Sequence, residues 1–146
     1  MAAKMVLDMS AMEEDFFSGT AMIGIGSSLQ GHEFCWHINK VFEFDFVREP
    51  DSDVEYKPSK EDIHFFSLYR YEEPMSSCTH LLYKLRSDKR SLLPEIKQLD
   101  YLWLIKSELA EVTARNVTEK LRLLPQVQLA QIIPNERLKN INHLLL

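Results

Sequence analysis

Residues 32–37, His-Glu-Phe-Cys-Trp-His, gather two imidazoles, a carboxylate and a thiol, the groups that bind transition metals. A zinc-protease helix spaces its two histidines four apart, so they point about 40° from each other and meet at one ion. His32 and His37 are five apart, which turns them about 140° from each other on a regular helix, and they do not converge. His32 and Cys35 could share an ion. The remaining ligands would then come from His64, Cys78 or His80, with no recognisable spacing. The sequence therefore predicts no metal site and no cofactor.

A second stretch, Ile-Gly-Ile-Gly-Ser-Ser-Leu-Gln-Gly at 23–31, has the strand, glycines and helix start of a dinucleotide fingerprint. Gly24 and Gly26 fit, but Leu29 stands where the third glycine belongs. The following segments do not alternate strand with helix as a nucleotide fold requires. The expected reading is structural: the glycines admit a helix against the strand or mark a bulge, and Ser27 or Ser28 caps the helix. A third candidate is the carboxylate pair Glu95 and Asp100. Five residues apart in a segment opened by Pro94, they have no fixed mutual distance, unlike a helical i, i+4 pair. They are expected to accept hydrogen bonds from turn and strand-entry amides. Neither a G-x-S-x-G elbow nor a phosphate-binding glycine loop is present. Cys35 reads as a small core residue and Cys78 as a stray thiol, so no catalytic residue is assigned.

These residues need elements to hold them. Residues 16–26 alternate like a strand, and 29–42 follow as a helix. Its apolar arc is Phe34, Cys35, Ile38, Val41 and Phe42. Trp36 lies on nearly the opposite face, where an exposed tryptophan serves as an interface anchor or packs under a neighbouring loop. Residues 43–48 alternate phenylalanine with acids and read as a strand. Residues 48–62 read as a loop with a short extended piece at 54–56. Strands at 63–71 and 79–86 flank the turn-forming stretch Glu-Glu-Pro-Met-Ser-Ser as a hairpin. Residues 100–107 are apolar on both faces and so predict a central strand. A helix over 110–124, with the stripe Ala110, Ala114, Val117, Leu121 and Leu124, should end at Pro125. A strand at 127–133 and a short helix from Pro134 through about Lys139 close the chain. The order β-α-β-β-β-β-α-β-α predicts one α+β domain over residues 1–146: a mostly antiparallel sheet with helices on one face.

The chain has 146 residues with 45% hydrophobic and 27% charged content, enough for one core without staples. No apolar run approaches the roughly 20 residues that span a bilayer, and the start shows no signal peptide, so no membrane partner is expected. Two cysteines without a secretion signal predict reduced thiols and a cytoplasmic location. Net charge is −5. Residues 1–73 carry 6 Lys/Arg against 15 Asp/Glu, and residues 74–146 carry 11 against 7. That balance argues against a dedicated nucleic-acid binder, although Lys84, Arg86, Lys89 and Arg90 could form a local basic patch beside Tyr83.

The segment Leu93-Pro94-Glu95-Ile96-Lys97-Gln98-Leu99-Asp100-Tyr101 resembles the signature of the IPExxxVDY family of small bacterial proteins. Pro94, Glu95, Asp100 and Tyr101 match outright, while Leu93 and Leu99 replace Ile and Val. The likeness extends to Met5-Val6-Leu7-Asp8, to Phe34-Cys35-Trp36 followed by Asn39-Lys40, and to Phe66-Ser67-Leu68-Tyr69. It implies a compact cytoplasmic protein and brings no catalytic residues with it. The expected function is a non-enzymatic protein-interaction or scaffolding domain, self-associating or bound to a protein partner through the Trp36 face. One alternative is a ligand-binding or catalytic cleft holding Glu95, Asp100 and His64 or His80. A weaker alternative is an RNA-associated protein using the basic patch.

Overall fold

The computed structural model describes residues 19–48, 53–87, 90–93, 96 and 98–134. The chain forms an α+β fold in which every described strand pair is antiparallel. Strand β1 (Thr20–Gly26) leads into helix α1 (Gly31–Phe42) and the two-residue β2 (Val47–Arg48). A hairpin of β3 (Val54–Ser59) and β4 (Asp62–Phe66) follows, then β5 (Leu68–Glu72) and β6 (Thr79–Lys84). A small ribbon, β7 (Arg86–Ser87) with β8 (Arg90–Ser91), precedes β9 (Tyr101–Lys106). Helix α2 (Ala110–Leu121) and β10 (Leu129–Ile133) complete the described chain.

Six strands make the main sheet in the order β10-β1-β9-β6-β5-β2. The strand expected to be central is central: β9 lies between β1 and β6 and alternates buried side chains to both faces. Tyr101, Trp103 and Ile105 join one core with Phe34, Cys35 and Ile38 of α1 and Ala114, Val117 and Leu121 of α2. Leu102 and Leu104 join a second core with Val54, Phe66, Leu93, Ile96 and Leu99. Both helices cover one face of the sheet. The β3–β4 hairpin and the segment before β9 cover the other.

Several boundaries differ from the sequence reading. Residues 43–46 are not strand. Glu43 takes a left-handed conformation that ends α1. Asn39 then serves Phe46 as a ladder neighbour would: its Nδ2 donates to Phe46 O (3.1 Å), and its Oδ1 accepts from Phe46 N (2.8 Å). The supposed strand 63–71 is two strands in two sheets, parted at Ser67, where the amide of Leu68 donates to Asp53 Oδ1. The break leaves no mark in the pattern, because Phe66 and Leu68 bury into the same core. The supposed loop at 48–62, expected to hold only a short extended piece at 54–56, holds a full strand, β3. Helix α2 stops at Leu121 and not at Pro125; three-residue turns carry the chain onward. The residue before a proline avoids helical angles, so the helix unwinds ahead of it. Residues 16–18, Pro94, Glu95, Lys89 and the helix expected after Pro134 lie outside the described residues.

The glycines do not admit a helix. A Cβ on Gly24 would strike Leu99 Cδ1 and come within 2.5 Å of Ile133 Cδ1, both in the second core on the far side of the sheet from the helices. Ser27 and Ser28 do not cap α1 either. Its N-cap is Gln30, without a side-chain bond. Ser27 Oγ donates instead to Gln126 O (2.7 Å) and ties the loop to the entry of β10.

Candidate functional site

Three groups of residues carry chemistry. The first surrounds His80, on the helix-facing side of β6. His80 is fully buried, and its ring lies among Phe44, Phe46, Tyr71 and Trp103 at centroid distances of 5.0 to 6.1 Å. The hairpin end between β5 and β6 brings Glu73 and Cys78 to it. His80 Nε2 is 3.2 Å from Glu73 Oε1 and 3.4 Å from Cys78 Sγ. Trp103 Nε1 donates to His80 Nδ1 at 3.0 Å. Sequence reasoning offered Cys78 and His80 together only as optional ligands for an ion at His32 and Cys35, and otherwise read Cys78 as a stray thiol. It missed Glu73 and Trp103. The only signal was the parity that places His80 and Leu82 on one face of β6.

Glu73, Cys78 and His80 place three ligand atoms within 4.8 Å of one another, close enough to hold a metal ion. The tautomer opposes that use. An indole N–H can only donate, so Nδ1 accepts and the imidazole proton sits on Nε2. A metal-bound histidine needs the reverse, a bare nitrogen toward the ion and an N–H on the other side. The same geometry does not make a nucleophilic triad. Thiol and carboxylate both meet Nε2, whereas a triad puts nucleophile and orienting acid on opposite nitrogens. Burial, followed by the Glu73 charge, pushes the Cys78 thiol up to about 11. Burial lowers the His80 pKa, against the opposing effect of the hydrogen bond that its Nε2–H donates to Glu73. The cluster is a hydrogen-bonded network with His80 and Cys78 buried among aromatic rings and Glu73 at its partly exposed rim.

The second group is the motif. Leu93, Ile96 and Leu99 are fully buried in the second core. Asp100 Oδ2 accepts the amide of Ser27 at 2.9 Å, and its Oδ1 lies 3.4 Å from Arg86 Nε. Tyr101 donates its hydroxyl to Leu29 O (2.6 Å) and stacks on Phe34 at 4.3 Å. Burial, then the neighbouring Tyr69 and Asp100, raises the Tyr101 pKa, so the phenol keeps its proton. Asp100 and Tyr101 thus fasten the β1–α1 loop and the first turn of α1 to the sheet. They do not meet a histidine in a cleft. His80 pairs with Ile105, at the far end of β9 from Asp100. His64 sits beside Asp62 in the separate β3–β4 sheet.

The third group is the outer face of α1. Asn39 fixes the exit of the helix and Tyr101 its entry, so the outer face is held in place. Trp36 stands on that face, 57% exposed, with Lys40 Nζ over its ring at 4.9 Å. Cys35, one residue earlier, is buried, and burial pushes its thiol up to about 11 with help from Asp45. His32 points to solvent and does not join Cys35. The basic patch loses its aromatic member, since Tyr83 is fully buried toward the second core. Among the described residues no helix is long and apolar enough to cross a membrane. No family model matches the chain, and no curated protein matches it. The likeness to the IPExxxVDY pattern therefore rests on the motif residues themselves.

Proposed function

We propose that this protein is a non-enzymatic interaction or scaffolding domain of the cytoplasm, kin to the IPExxxVDY proteins, with the outer face of α1 as its contact surface. One observation carries the reading: Trp36 stands exposed on a helix whose entry is tied to β9 and whose exit is tied to the segment before β2. A rigid aromatic on a fixed helix loses little conformational freedom on binding and anchors interfaces disproportionately. The motif then has a structural purpose, since Asp100 and Tyr101 hold the loop from which α1 starts. The meeting of the Cys78 thiol and the Glu73 carboxylate at one nitrogen of His80 supports the non-enzymatic half of the proposal.

Affinity capture of the tagged protein from its own cytoplasm, wild type beside Trp36→Ala, tests this. A partner lost with Trp36, from variants that melt alike, supports the contact face. Equal capture by both variants would discard it.

A further inference from the structure

Four residues on the outer side of α1, Glu33, Trp36, His37 and Lys40, follow one another at i, i+3, i+4 and i+7. At about 100° per residue they share one stripe roughly 100° wide. Glu33, Trp36 and Lys40 are exposed and His37 is half-buried. Glu33 opens the helix and Lys40 closes it, with the aromatic pair between them. The stripe is therefore complementary to itself when reversed. If a second α1 lies antiparallel on the first, with the two-fold axis between Trp36 and His37, Glu33 meets Lys40 of the second copy twice. Trp36 meets His37 of the second copy twice. A parallel pair would instead set Glu33 on Glu33 and Lys40 on Lys40. Two-fold contacts use the same patch on both subunits, and this patch satisfies that condition by charge.

We infer that the α1 face binds a second copy of this chain, as an antiparallel helix pair clasped by two Glu33–Lys40 contacts around a Trp36–His37 centre. The inference rests on the contact face proposed above and names its partner. In the single chain, Lys40 covers the indole and Glu33 lies 3.8 Å from His32 Nε2; both side chains are exposed and free to turn. A helix of 12 residues is about 18 Å long, so the contact belongs to the small, weak class of interfaces. The dimer must then depend on concentration.

Sedimentation of the whole chain between about 10 µM and about 1 mM tests this, because small interfaces associate in that range. Wild type is expected to pass from monomer toward dimer. Trp36→Ala removes the anchor and should leave monomer. Lys40→Glu or Glu33→Lys alone turns two attractions into two repulsions and should weaken dimerisation roughly tenfold. The double variant Glu33→Lys/Lys40→Glu restores both pairs and should regain the dimer. An equimolar mixture of the two single variants should form a mixed dimer, since each pair is again opposite in charge. Melting curves check that all variants fold. A wild type that stays monomeric at about 1 mM overturns the second-copy partner; a Trp36-dependent capture of another protein would then keep the contact face alone. A dimer indifferent to all these substitutions overturns both.

Discussion

Trp103 and His80 are diagonal neighbours across β9 and β6, and their 3.0 Å hydrogen bond decides where the imidazole proton sits. Because the indole N–H occupies Nδ1, a second proton on the ring would set one donor against another. Burial pushes the His80 pKa the same way, downward. Geometry and desolvation therefore agree on a neutral ring with its proton on Nε2, facing Glu73 and Cys78.

A pH dependence follows from that neutral ring. Below about pH 6.5 the unfolded chain binds a proton at this histidine that the folded chain does not bind until its lower pKa is reached. Stability should thus fall as pH drops from about 6.5 to the folded pKa, by at most about 1.4 kcal/mol per pH unit from this one group. Glu73 opposes the effect but does not reverse it. In His80→Asn the amide oxygen can take the indole hydrogen bond, yet nothing titrates there. Urea unfolding at pH 7.5 and pH 5 should show a smaller loss in the variant than in wild type. Equal losses would place the titrating group elsewhere.

Both thiols should be unreactive while the fold is intact. With pKa values pushed to about 11, Cys35 and Cys78 are thiolate to only roughly one part in several thousand at pH 7.5. Both are also buried. A colourimetric thiol reagent should label neither at a measurable rate in buffer and both in denaturant. Fast labelling of Cys78 in the folded protein would reopen a nucleophilic reading of its network.

Leu99 and Gly24 form a matched pair across the sheet. Gly24→Ala drives a methyl into Leu99 and Ile133, and overpacking of this kind costs about 1–3 kcal/mol. Leu99→Ala alone leaves a cavity and costs about 2–5 kcal/mol. Together they should cost clearly less than their sum, because the cavity from one accepts the methyl of the other. A double-mutant cycle by chemical denaturation measures the coupling, and strict additivity would show that the two side chains do not meet.

The parts of the fold visible in the sequence were those set by short-range periodicity. The apolar run through 100–107 marked β9 as a central strand, and the angular position of Trp36 placed it off the core stripe. What stayed hidden depends on residues far apart in sequence. The rings around His80 come from positions 44 and 46, 71, and 103, on three separate segments. Strand β3 was hidden by the polar residues that alternate with Val54 and Tyr56, the two that pack in or against the second core. The break at Ser67 was silent because the period of two runs through it. The structural role expected for Asp100 had a visible logic, a carboxylate at a strand entry. Its partner, the amide of Ser27, is 73 residues away and no local pattern names it.

That long-range bond is open to a direct test. Asp100 accepts a backbone amide on one oxygen and approaches Arg86 on the other, and it is part-buried. Asp100→Asn keeps one carbonyl acceptor and loses the charge, so it should cost about 1 kcal/mol. Asp100→Ala leaves the Ser27 amide without its partner and should cost about 1–3 kcal/mol. Because the bond anchors the loop before α1, the loss should spread along the chain. Hydrogen exchange at the amides of Ser27 and Phe34 should quicken more than exchange in β6, which Asp100 does not hold. If exchange quickens evenly across the molecule, Asp100 contributes to global stability without anchoring this loop. If stability is unchanged in Asp100→Ala, the motif carboxylate has no structural duty, and a search for a ligand at Asp100 becomes the better course.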